Sequence, residues 1–208
     1  MTNIEAITLE VTDPAAAERF YANAFGLGSQ LRFRASDEPT TGFRGFTLSL
    51  TVPQPADVDS LIATALEAGA TTIKPATKSM WGYGGTVRAP DGTIWKLATS
   101  AKKNTGPATR EIDAVVLLLG VADVAASKKF YVEHGLTVGK SFGRMYVEFD
   151  AGSSPVKLAL YRHKALAKDA GVSPDGSGSH RIAVAGASEP FTDPDGFAWE
   201  TTAAATLS

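Results

Sequence analysis

The sequence predicts an α+β chain built by duplication, on three observations. Pro90-Asp91-Gly92 with Trp95 just beyond it returns as Pro194-Asp195-Gly196 with Trp199 just beyond. DPAAAERFYANAFGL returns as DVAASKKFYVEHGL, so Phe20-Tyr21 reappear as Phe130-Tyr131 at nearly the same separation. Two markers repeating in one order define an internal repeat. Each copy also opens with an apolar strand followed by a capped helix, and then by further strand candidates.

Composition narrows the classes. The 208 residues leave room for one large domain or two of about 100 residues each. A hydrophobic share of 44% against 20% charged residues suits a packed core and argues against disorder. Twenty glycines and eleven prolines imply many turns, hence many short strands. A net charge of −2 gives no electrostatic case for nucleic acid or an anionic membrane. The absence of cysteine excludes disulfides, thiolate nucleophiles and Cys-based metal sites, and suits a reducing compartment. MTNIEAITLE lacks the basic and apolar regions of a signal peptide, so a cytoplasmic location is expected. The most apolar run, Ala114 to Ala126, is too short and glycine-interrupted to span a bilayer.

In chain order, Ile4 to Val11 alternates as a half-buried strand and stops at Asp13-Pro14, a helix cap with Pro at the first helical position. The helix is expected from Pro14 to Ala24, ending at Gly26. Leu31 to Ala35 is a weaker strand, Asp37 to Thr41 a polar loop, and Phe43 to Val52 a strong strand. Asp57 or Asp59 opens a second helix whose stripe is Val58, Leu61, Ile62 and Ala65. Thr71 to Ile73 reads as a short strand. Lys78 to Gly85, bulky aromatics among glycines, reads as a loop at a pocket rim, and Thr93 to Thr99 as a strand. SAKKNTGPATR has no periodicity and carries both Gly and Pro. The expected division is a first domain at 1–101, a linker at 102–110 and a second domain at 111–208. In the second copy Val115 to Val121, Thr137 to Ser141, Arg144 to Phe149 and Val156 to Tyr161 are strands. Arg162 to Ala170 is a short basic helix, and Gly171 to Gly178 a loop. Ser179 to Ala185 is a strand carrying His180 and Arg181, and the helix expected before the final turn is missing.

Several residues could carry chemistry. His180 and Glu200 are ligand types for a borderline divalent metal, but a catalytic ion needs a third protein ligand and none is evident. Each also has an ordinary reading, as an edge-strand histidine and a surface carboxylate. Trp81, Tyr83, Tyr146 and Tyr161 suit a pocket gripping an organic molecule, with core packing as the alternative. Trp95 and Trp199, in opposite phase to Lys96 and Glu200, read as structural. There is no GxxxxGK[ST] loop, no dinucleotide fingerprint and no H-E-x-x-H pair.

TLEVTDPAAAERFYANAFG, VDSLIATALEAGA, WGYGGTVRAPDGTIWKL, GVADVAASKKFY and FTDPDGFAWE together resemble the vicinal oxygen chelate superfamily. That group includes glyoxalase I, extradiol dioxygenases, fosfomycin-resistance transferases and bleomycin-resistance proteins. More narrowly, the chain is similar to two-domain actinobacterial glyoxalase-like proteins. The resemblance implies tandem βαβββ modules forming two glyoxalase/bleomycin-resistance-like domains, with curled mixed sheets around a cavity. It places the superfamily's metal ligands at Ala6, near Arg44 or Gly45, and at Lys96 in the first domain, none of them a chelator. In the second domain it places them at Val116, His180 and Glu200, leaving an incomplete pair. The implied function is binding of a small organic molecule in a largely apolar cavity without a catalytic metal or other cofactor. Trp81, Tyr83, Val116, Tyr146 and Arg181 would be the binding residues, with Ala6 and Leu118 adding apolar wall. The competing expectation is a lyase, isomerase or dioxygenase-like enzyme in the second domain. It would use a weakly bound divalent metal on His180 and Glu200, or Glu200 alone as catalytic base. A homodimer is the default assembly.

Overall fold

The computed structural model describes residues 3–201. The alternating opening segment forms β1 (Ala6–Val11). Asp13 then caps α1 (Pro14–Phe25), its side chain accepting from the Ala16 N–H at 2.9 Å, and Gly26 ends the helix at φ 68°. This is the expected start and stop, because a left-handed C-terminal position costs glycine nothing. β2 (Leu31–Ala35) follows, then the short β3 (Thr40–Gly42) and β4 (Phe46–Thr51).

α2 (Pro55–Glu67) begins at Pro55 rather than at Asp57 or Asp59. Asp57 is buried and does other work: its Oδ1 accepts the N–H groups of Thr109, at 2.5 Å, and Arg110, at 3.1 Å. Gln54 likewise accepts from Thr105 and Gly106 and donates to the Pro107 carbonyl. The aperiodic segment before the second copy is therefore strapped to the start of α2. β5 (Thr71–Ser79) runs well past the expected Thr71–Ile73 strand and through Pro75. The proline is tolerated because β5 is a sheet edge and its pairing with β6 shifts register between Lys74 and Thr77. β6 (Gly82–Arg88) and β7 (Ile94–Thr99) complete the first copy, so the expected rim loop is a β5–β6 hairpin tip.

The second copy supplies β8 (Ala114–Val121), α3 (Val124–Glu133), β9 (Val138–Phe142), β10 (Tyr146–Phe149) and β11 (Val156–Arg162). Then come α4 (His163–Ala170), β12 (Gly176–Gly178), β13 (Ile182–Ala187), β14 (Phe191–Thr192) and β15 (Ala198–Thr201). β13 starts later than expected and leaves out His180 and Arg181. Arg181 sits at φ 52°, outside the β region, and its N–H is taken by the Ser179 hydroxyl at 3.0 Å.

An eight-stranded sheet runs β5-β6-β7-β4-β8-β11-β10-β9, and a five-stranded sheet runs β14-β15-β13-β1-β2. The first contains two complete βαβββ units, β4-α2-β5-β6-β7 and β8-α3-β9-β10-β11, joined edge to edge where β4 meets β8 antiparallel. The second joins two reduced units, β1-α1-β2 and β13-β14-β15, where β1 meets β13 antiparallel. In each unit the first and last strands are parallel. β3 and β12, both expected as loops, pair antiparallel as a separate ribbon. Strands of both copies are thus neighbours in all three sheets.

One apolar cluster takes in one face of each main sheet: Ile7, Leu9 and Val184 from the five-stranded sheet, Leu48, Leu117 and Leu158 from the eight-stranded one. Helices α1 and α3 add Tyr21 and Tyr131 to it, and α2 adds Leu61. The alternate residues occupy the far faces. On the far face of the eight-stranded sheet α4 builds a second cluster. Leu166, Ala167 and Ala170 pack with Phe43 and Ile94, and Leu118 and Tyr161 lie against them. The chain's own helix thus fills part of the face where a cavity is expected.

Candidate functional site

The superfamily's ligand positions are best located by strand register. In the eight-stranded sheet Lys96 pairs with Ser49, Ser49 with Val116, and Val116 with Lys157, one row across β7, β4, β8 and β11. In the five-stranded sheet Glu200 pairs with Ala185 and Ala185 with Ala6. Val116 and Glu200, expected in one site, therefore lie in different sheets. The expectation counted positions within one copy, whereas each row draws on both copies.

His180 and Glu200 are not brought together either. The His180 ring stacks on Phe197 at 4.1 Å, with Nδ1 2.6 Å from the Arg44 carbonyl and Nε2 3.2 Å from the Asp195 carbonyl. A neutral imidazole donates once, and the shorter contact to Arg44 is the better hydrogen bond. Both ring nitrogens face backbone oxygens, which makes His180 a strap between the segment before β4 and the turn before β15. Glu200 lies near the other end of β15, and roughly 16 Å of extended chain separates Ala185, its partner, from His180. Its carboxylate binds Arg34 at 2.8 Å, and Arg34 also holds Glu10 at 2.6 Å. The guanidinium spans two carboxylates on this sheet's far face, and the Glu10 hydrogen bond raises its pKa further.

These donors do not fit a divalent cation. One row offers two ammonium groups, a hydroxyl and an isopropyl group. The other offers one carboxylate already paired with arginine. Among the described residues no three His, Cys, Asp or Glu side chains converge. A chelate needs three or four such donors around one point.

The remaining expected site residues are dispersed. Arg181 donates through Nε, at 2.8 Å, and Nη2 to the Glu38 carbonyl. It lines a cleft of about 540 Å³ beside α1, where the Tyr21 hydroxyl is already committed to Asp91 at 2.8 Å. Tyr146 lies on the far face of β10, bonded to Glu148 at 2.9 Å and edge-on to Tyr161; burial raises its pKa. From β7 to β10 is four strand spacings, about 19 Å, so Tyr146 and Lys96 do not share a small site. Tyr83 donates to Asp59 on α2 at 2.7 Å, and that hydrogen bond raises its pKa.

One cleft does join expected residues to the far face. It has a volume of about 310 Å³, and its lining includes Trp81, Tyr83, Thr86, Lys96, Ala98 and Asp169. Trp81, at the β5–β6 tip, is 83% exposed, whereas Trp95 and Trp199 are buried. Lys96 Nζ meets Asp169 Oδ2 at 2.6 Å. Asp169 and Arg34 carried no sequence signal of a site role, although the alternation in LRFRA does place Arg34 opposite Leu31 and Phe33.

Two complete and two reduced βαβββ units in two open mixed sheets make a glyoxalase-like fold. No protein-family model and no curated protein matches the chain in sequence. Among solved structures it is similar to glyoxalase I from Zea mays, at 14% identity and a TM-score of 0.63, covering 97% of this chain and 92% of that one. It is also similar to a putative dioxygenase from Bacillus subtilis, at 12% identity and a TM-score of 0.59, covering 96% and 84%. The likeness runs through both copies, and what the chain shares with these structures is the fold.

Proposed function

We propose that the protein binds a small organic molecule, without a catalytic metal, in the cleft between the β5–β6–β7 strands and α4. The observation that carries this reading is that one cleft is lined both by a solvent-exposed indole, Trp81, and by Lys96, a lysine where the resemblance places a metal ligand. An ammonium group repels a cation and attracts polar or anionic ligand atoms. An exposed aromatic offers a large apolar surface to a ring. A volume of about 310 Å³ is near the lower end for small-molecule sites, which suits a compound of one or two rings. The separation of His180 from Glu200 favours this reading over the metal-dependent one.

A thermal-shift screen of small aromatic metabolites tests the reading, run once with a chelator and once with added Zn²⁺, Mn²⁺, Fe²⁺ and Ni²⁺. Hits should be the same in both, and Trp81→Ala should abolish them while leaving the unliganded melting temperature within about 1 °C, since the exposed indole packs little. Hits that appear only with a metal would reverse the proposal.

A further inference from the structure

We infer that the ligand is an aromatic molecule bearing one anionic group, and that Asp169 is an internal anion which that group displaces from Lys96. This rests on the cleft being the binding site, and it follows from how the two lysines there are satisfied. Lys96 holds the Asp169 carboxylate, and Lys74 Nζ donates to the carbonyls of Lys168 at 3.0 Å and Asp169 at 2.6 Å. Both ammonium groups are therefore met by the last turn of α4, one by a carboxylate and one by the negative end of the helix. Lys74 is already held by those two carbonyls, so Lys96 is the ammonium that a ligand anion can take.

The lysine–aspartate pair is open enough to exchange partners, with side-chain exposures of 36% and 40%. Pairs at that exposure hold weakly in water. An incoming carboxylate or sulfonate can take the Lys96 ammonium while Asp169 turns to solvent, and its ring then lies beside Trp81. The second charge of a dianion would find Lys74 already held by the carbonyls at the end of α4, and a neutral ring would forgo the Lys96 ammonium and leave Asp169 in place. The same exchange loosens the end of α4, so the helix that fills the far face also responds to occupancy.

The test is calorimetric titration of the full-length protein with 4-nitrobenzoate and with 4-nitrobenzamide, its neutral near-isostere, in the presence of EDTA. Quenching of the solvent-exposed tryptophan emission is followed in parallel. The benzoate should bind at least tenfold more tightly than the amide. Lys96→Met should bring it down to the amide's affinity, and Asp169→Asn should tighten it several-fold by removing the competing carboxylate. Equal affinity for the two compounds, or weaker benzoate binding by Asp169→Asn, overturns the anion inference; if Trp81→Ala still loses both compounds, the cleft reading survives it. No heat and no quenching with either compound, while Asp169→Asn also remains silent, overturns the inference and the cleft assignment together.

Discussion

At the scale of single residues, the repeat is most visible in two buried clasps. Trp95 Nε1 donates to the Tyr21 hydroxyl at 3.3 Å, and Tyr21 donates to Asp91 at 2.8 Å. Trp199 Nε1 donates to the Tyr131 hydroxyl at 3.2 Å, and Tyr131 donates to Asp193 at 2.6 Å. The acceptors are not equivalent in sequence: Asp91 follows the turn proline, whereas Asp193 precedes it. Asp195, the true counterpart of Asp91, accepts instead from Ser127 and the Ala122 N–H. Burial raises the Asp193 pKa, and the Tyr131 hydrogen bond opposes that shift. Tyr131→Phe leaves a buried carboxylate oxygen without its donor and should cost about 1–3 kcal/mol. Tyr21→Phe should cost less, because Asp91 is only half-buried and water can replace the hydroxyl. An acid whose pKa is raised in the folded state adds stability below its unfolded pKa and loses it as pH rises through the folded one. The Tyr131→Phe penalty should therefore be larger at pH 7 than near pH 4, which denaturant melts at the two values would read. Burial holds both tyrosine hydroxyls well above their usual pKa. Above about pH 10 the unfolded chain releases protons that the folded one keeps, so stability should fall there. The double Tyr→Phe variant should show a shallower alkaline fall.

Among the elements, α4 differs from the other three helices in its surroundings. α1, α2 and α3 contribute to the main core, whereas α4 is held by the small cluster on the far face and by Lys74 and Lys96. Leu166→Ala removes one of that cluster's few large side chains, a loss of about 2–5 kcal/mol for a buried leucine. Because the cluster is a satellite, the loss should be local. Amide exchange across residues 163–170 should rise by orders of magnitude while β8 and β4 keep their protection. A uniform rise over the whole chain would instead make α4 part of the main cooperative unit. The sequence made most of these elements legible where periodicity is strong: Ile7, Leu9 and Val11 alternate in β1, and Val58, Leu61 and Ala65 make the stripe of α2. It hid β3 and β12, because Thr40–Gly42 and Gly176–Gly178 are polar and glycine-rich and exist as strands only through each other. It misplaced His180 into β13 because Ser-His-Arg before an apolar run reads as extended. Only the structure shows Arg181 turning the backbone there.

For the molecule as a whole, duplication was readable in the aromatic pairs and the Pro-Asp-Gly turns, but the way the copies combine was not. Periodicity within a strand specifies which face is buried, not which strand is its neighbour. The consequence is largest at the candidate site, since Val116 shares its row with Ser49 and Lys96 of the other copy, while Glu200 shares its row with Ala6. The clasps cross the sheets in the other direction. Tyr21 ties β1-α1-β2 to the turn before β7, and Tyr131 ties β8-α3 to the turn before β15. Sheet pairing thus joins units of opposite copies, and the clasps join units within a copy. Residues 1–101 expressed alone would keep one clasp but lose β8 from the edge of β4 and β13 from the edge of β1. Both are central strands with apolar faces, and unpaired edges of that kind drive association. The fragment should therefore be a self-associating or poorly folded species by sedimentation and circular dichroism. Mixing it with residues 111–208 during refolding should restore a one-to-one complex that has the melting behaviour of the full chain. A monomeric 1–101 fragment with native-like strand signal and a sharp thermal transition would mean that the interstrand pairing across the copies contributes little to stability, and that each copy closes its own core.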